Sequence, residues 1–94
     1  MMIKKIEKEI SQKIYNDSKN SLPISNITEP LLDKRLILEI FARNIAIYVS
    51  NNTPLEPNSF KNYEVVIENE KINISVGYIK KSENSEPTLT YGIL

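Results

Sequence analysis

The stretch Pro30 to Asn51, PLLDKRLILEIFARNIAIYVSN, does most to limit what this chain can fold into. Its apolar residues recur at three and four, the spacing of a helix, yet from Leu36 to Val49 they cover more than one stripe. Such a helix needs cover on more than one side, so the remaining residues must be arranged around it. Arg35, Glu39 and Arg43 follow one another at spacings of four. They stack on one face, where they are expected to pair and to mark the side that stays in water. The apolar run of about 14 residues falls short of the roughly 20 that span a bilayer, and it contains Glu39 and Arg43, so no membrane segment is expected. Thr28 suits the N-cap and Pro30 the first turn, where its missing N–H is not needed. Asn51 and Asn52 tolerate the left-handed conformation common after a helix, and Pro54 prevents continuation.

A second helix is predicted at about residues 2–17. Ile3, Ile6, Ile10 and Ile14 form a narrow seam at spacings of three and four, and Lys5, Glu9 and Lys13 lie on the charged remainder at i, i+4 spacing. Polar NDSKNS should end it. The connector SLPISNIT is extended at Pro23, with Leu22, Ile24 and Ile27 docking on the core. NNTPLEPNSFKN reads as a loop anchored by Leu55 and Phe60.

After this the apolar period changes from 3.6 to 2. YEVVIENEKINISV is the clearest hairpin signal in the chain. A turn at Asn69 and Glu70 sets Glu68 opposite Lys71, Ile67 opposite Ile72, Val65 opposite Ile74 and Tyr63 opposite Val76. One face is then wholly apolar, and a slip of one residue would bury charge. Gly77 marks a bulge or a close approach. KKSENSEP is a polar loop, and Thr88 to Ile93 alternates again, with Leu89, Tyr91 and Ile93 on one side. The expected architecture is a single α+β domain over 1–94, two helices (about 2–17 and 30–50) followed by a three-stranded antiparallel meander (about 63–68, 71–79 and 88–93).

Residue inventory narrows the function classes. The chain has neither cysteine nor histidine, so the usual catalytic nucleophile–base pairs and the usual zinc ligands are missing. Glu39, flanked by Arg35 and Arg43, reads as a paired surface acid, and Glu64, Glu68 and Glu70 around the hairpin lack the spacing of a calcium loop. Gly77 and Gly92 are the only glycines, too few for a phosphate-cradling loop. The five tyrosines could stack bases, but Tyr63 and Tyr91 share parity with apolar neighbours and read as packing residues. No catalytic, cofactor-binding or metal-ligating residue is therefore expected.

Twelve basic and twelve acidic side chains cancel, which leaves no global field to draw the chain to nucleic acid or an anionic membrane. The N-terminal MMIKKIEKEI is interrupted by charge and lacks the apolar stretch of a signal peptide, so a cytoplasmic site, or one inside a virus particle, is expected. Isoleucine, asparagine and lysine (15, 11 and 10 residues) exceed a third of the chain, the bias of AT-rich codons, as in many phages and mobile elements.

The function expected from these readings is non-enzymatic protein–protein interaction, as a homo-oligomer or a subunit of a larger particle. Apolar surface on the central helix left uncovered by a small sheet and a narrow seam would serve as the interface. Ile37, Phe41, Ile45 and Tyr48, with Ile3, Ile10 and Ile14, are its candidate residues. Two alternatives are a nucleic-acid-binding regulator that uses Lys4, Lys5, Lys8, Lys80 and Lys81, and a small inhibitor of a larger enzyme.

Overall fold

The computed structural model describes residues 4–21 and 30–94, with the side chains of 30–34 excepted. Ile3, the connector from Leu22 to Ile27 and the Thr28 cap lie outside the described residues. The elements are β1 (Lys4–Lys5), α1 (Lys8–Asn20), α2 (Pro30–Asn52), β2 (Phe60–Ile67), β3 (Glu70–Ile79) and β4 (Thr88–Ile93). The sheet order is β1-β2-β3-β4, and the three longer strands form the expected antiparallel meander.

The hairpin turns one residue earlier than alternation alone suggested. Glu68 and Asn69 form the loop, with φ values of 46° and 68°. Positive φ at both central positions is the two-residue type I′ turn, whose twist matches the flanking strands, and asparagine tolerates it well. Val65 therefore pairs with Ile72, Tyr63 with Ile74 and Lys61 with Val76. Because the pairing moves by two residues, Tyr63, Val65 and Ile67 still share a face with Ile72, Ile74 and Val76. Alternation rejects odd slips, and the turn decides among even ones.

A fourth strand precedes the first helix. Lys4 and Lys5 pair in parallel with Tyr63 and Glu64, and the Ile6 N–H donates to the Glu64 carbonyl at 3.1 Å. The helix expected from residue 2 thus begins at Lys8, because residues 4–6 satisfy backbone groups along the outer edge of β2. It also runs through the polar cluster to Asn20, where tertiary contacts outweigh the local signal. Ser18 is fully buried, donates to the Ile14 carbonyl at 2.7 Å and accepts from the Asn44 amide of α2 at 2.9 Å.

Both helices lie on one face of the sheet. The buried stripe of α1 is Ser11, Tyr15 and Ser18 with Ile14 beside it, rotated from the isoleucine seam. The two serines are small enough for α1 to approach α2 closely, and Tyr15 meets Phe41 edge to face, centroids 5.5 Å apart at 87°. From α2 the core takes Phe41, Ala42, Ile45, Ala46 and Val49; from the sheet it takes Tyr63, Val65, Ile67, Ile74 and Val76. Side chains from two turns of α1 grip the hairpin turn: the Glu68 N–H donates to Gln12 at 3.1 Å, and the Lys19 ammonium pairs with the Glu68 carboxylate at 3.3 Å.

On the opposite face of the sheet no described element lies. Phe60, expected as a core anchor, is there and 49% exposed, while Leu55 does pack against the core. Phe60 pairs with Gly77, and its ring occupies the space that a side chain at Gly77 would need, so this glycine marks a close approach without a bulge. Asn58 ties the preceding loop to the end of β3. Its φ is 59°, its N–H donates to the Tyr78 carbonyl at 2.7 Å, and its side chain brackets the Lys80 peptide, accepting from the N–H at 3.0 Å and donating to the carbonyl at 3.3 Å.

Candidate functional site

Intramolecular packing uses most of the apolar surface expected to form an interface. Phe41 and Ile45 have no exposed surface, because α1 covers one side of α2 and the sheet the other. Ile14, Ile37 and Tyr48 are half-buried against that same core, and Ile10 is half-buried where α1 faces the end of α2. Arg35, Glu39 and Arg43 are all exposed, as their spacing implied. The expected pairing along this line does not close: among the described residues the ion pairs are Lys5–Glu64 at 3.7 Å and Lys19–Glu68 at 3.3 Å.

Among the described residues the exposed large apolar side chains are Ile47 on α2, Phe60 on the open face of the sheet, Ile79 at the end of β3, and Tyr91, Ile93 and Leu94 on or beside β4. Tyr91 is 39% and Ile93 43% exposed, and both border a groove of about 420 Å³ between β4 and α2. Leu38, Ala42, Tyr91 and Ile93 supply its apolar wall; Arg35 and Glu39 stand on its rim.

Among the described residues no strand pairs with the backbone along this edge. Ile93 pairs with Ile74, and the Leu94 N–H donates to the Asn73 carbonyl at 2.9 Å. In an antiparallel ladder that geometry makes Ile93–Ile74 a non-hydrogen-bonded pair. Thr88, Thr90 and Gly92 therefore turn their N–H and C=O groups toward β3, and Leu89, Tyr91 and Ile93 turn theirs outward.

The two edges of the sheet differ in kind. β1 is two residues long and both are lysines, a short charged edge of the type that discourages further pairing. β4 is six residues long, TLTYGI, with neither charge nor proline. The absence of charge is legible in the sequence, whereas which strand lies outermost is a property of topology.

The lysines of the nucleic-acid alternative fall in two places. Lys4, Lys5 and Lys8 lie at and after β1, with Lys5 paired to Glu64. Lys80 and Lys81 follow β3, roughly 20 Å further along the strands at about 3.3 Å per residue. They form no continuous basic surface. A second pocket, of about 320 Å³, lies between β1, α1 and the end of α2, with Tyr63 among its lining residues. The Tyr63 hydroxyl is buried without a hydrogen-bond partner. Burial raises its pKa, and the nearby Thr53 side chain pulls weakly the other way without reaching bonding geometry.

Among the described residues no group of acidic side chains could hold a metal ion, and no helix is long and apolar enough to cross a membrane. No family model, curated protein or solved structure matches this chain.

Proposed function

We infer that this chain is a non-enzymatic interaction protein that assembles with copies of itself, alone or within a larger particle, and that the outer edge of β4 is the contact. One observation carries the reading. An uncharged strand of six residues presents outward backbone groups beside exposed Tyr91 and Ile93, while the opposite edge ends in two lysines. A long, uncharged edge is a template for strand addition and is hazardous when left bare. Pairing occupies its donors and acceptors and removes the adjoining apolar surface from water. The dispersal of Lys4, Lys5, Lys8, Lys80 and Lys81 gives the nucleic-acid alternative no comparable surface.

Size-exclusion chromatography with light scattering, run from about 5 to 500 μM to cover micromolar affinities, tests the reading. A mass of twice the chain or more, falling on dilution, is expected; a monomer across the whole range would refute it.

A further inference from the structure

We propose that β4 pairs antiparallel with β4 of a second copy, centred on Tyr91, about a two-fold axis normal to the sheet, and that Arg35 and Glu39 lock the pair across the seam. The proposal deepens the self-association reading and rests on it. Only Leu89, Tyr91 and Ile93 turn backbone groups outward, so these must form the hydrogen-bonded positions of any added strand. Centring on Tyr91 uses all of them: Tyr91 meets Tyr91 of the second copy, and Leu89 meets Ile93 in both directions. Centring on Thr90 or Gly92 leaves Ile93 or Leu89 unpaired. The same register places Leu89, Tyr91 and Ile93 side by side on the helix-bearing face, so the apolar layer continues across the seam. Thr90 meets Gly92 of the second copy on the other face, where no bulk opposes approach: nothing lies within 4 Å of a methyl placed at Gly92.

The occupant is identified by charge as well as shape. A two-fold axis normal to the sheet keeps both helical layers on one face and sets the two α2 helices antiparallel across the groove. Arg35 and Glu39 stand one turn apart on that rim. Reversing the helix direction brings Arg35 of each copy to Glu39 of the other, so the groove is complementary to itself. Neither has an ion-pair partner among the described residues. An isologous contact of this kind closes on itself, and the short lysine-bearing β1 edge does not extend it, so the product is a dimer.

The chain has no cysteine, so single cysteines report the register directly. The full-length chain carrying Tyr91→Cys or Thr90→Cys is oxidised and read by non-reducing electrophoresis. Directly opposed Tyr91 positions would lie about 5.5 Å apart between Cα atoms, within disulfide reach. Thr90 positions would be offset diagonally by about 8 Å, beyond it. Tyr91→Cys is expected to cross-link at least about tenfold faster, a margin set by that reach. Equal or faster cross-linking of Thr90→Cys overturns the register. A wild-type dimer in which neither variant cross-links overturns the β4 pairing while leaving self-association standing; a wild-type monomer overturns both. On the rim, Arg35→Glu is expected to weaken the dimer about tenfold, the scale of two solvent-screened exposed pairs turned from attraction to repulsion. The Arg35→Glu/Glu39→Arg swap is expected to restore it, and failure to restore overturns the charge lock.

Discussion

Gly77→Ala offers the sharpest test of how the open face of the sheet is built. An added Cβ at this position would sit 2.4 Å from the Ser59 carbonyl oxygen and 2.7 Å from Phe60 Cδ1, closer than the 3.0 Å that real Cβ contacts keep. The ring can swing aside, but the carbonyl cannot easily retreat. Asn58 just before it is tied to Tyr78 and Lys80, and the Ser59 N–H donates to the Glu56 carbonyl at 3.3 Å. Overpacking of this kind costs about 1–3 kcal/mol. Against it stands a gain of about 0.4–1 kcal/mol from the stiffer unfolded chain. The net expectation is a loss of about 1–2 kcal/mol, or roughly 5–15 °C in Tm for a chain of this size. Gly92→Ala is the matched control, since an added methyl there meets nothing within 4 Å, and it should be neutral or stabilising by about 0.5 kcal/mol. Thermal and urea unfolding would compare them at a protein concentration low enough to keep both monomeric, because Gly92 lies in the proposed seam and association itself raises Tm. If Gly77→Ala proved as stable as Gly92→Ala, the account of the Phe60–Gly77 pair would be wrong. In a Phe60→Ala background the alanine at 77 should still destabilise, because the shorter contact is with backbone.

The Ser11 hydroxyl is fully buried with no partner, so Ser11→Ala should stabilise by about 1 kcal/mol through relief of desolvation and better helix propensity, measured as a higher urea midpoint at unchanged slope. Asn58→Ala removes both side-chain hydrogen bonds to the Lys80 peptide and strains a φ of 59°, and should cost about 1–2 kcal/mol in the same assay. Burial holds the Tyr63 phenol protonated above its ordinary value of 10.0. Its contribution to stability is complete below the unfolded value and is lost as pH rises through the higher folded one. Urea unfolding from pH 8 to 11 should therefore show an alkaline loss that Tyr63→Phe reduces; an identical pH profile would contradict it.

Sequence patterning reached the faces of the elements more surely than their edges and ends. The change of period after Asn62 located the hairpin, and parity placed Tyr63, Val65, Ile74 and Val76 in the core. It could not choose between registers two residues apart, since both keep those faces, and the left-handed pair Glu68–Asn69 made that choice. Lys4–Lys5 was illegible as a strand because two residues carry no period, and its partner lies in β2. The isoleucine seam marked only the margin of the buried stripe on α1, with Ile14 against the core and Ile10 half-buried, because serine at 11 and 18 is polar in composition yet small enough for helices to meet. That substitution of fit for hydrophobicity also explains why Phe41 and Ile45 are covered within the chain. The β4 edge was written in the sequence as an absence of charge, but it gains meaning only once β4 is known to lie outermost.

The parallel pairing of β1 with β2 also sets an order in time. Most of the chain lies between Lys4 and Tyr63, its partner, and both helices form the connection. Closing so long a loop is slow compared with forming the β2–β3 turn, whose ends are adjacent. The lysine edge should therefore seal last and reopen first. In native-state hydrogen exchange the Ile6 N–H, which bonds across to Glu64, is expected to lose protection well before the amides of the hairpin core; equal protection would show that the edge and the hairpin open together.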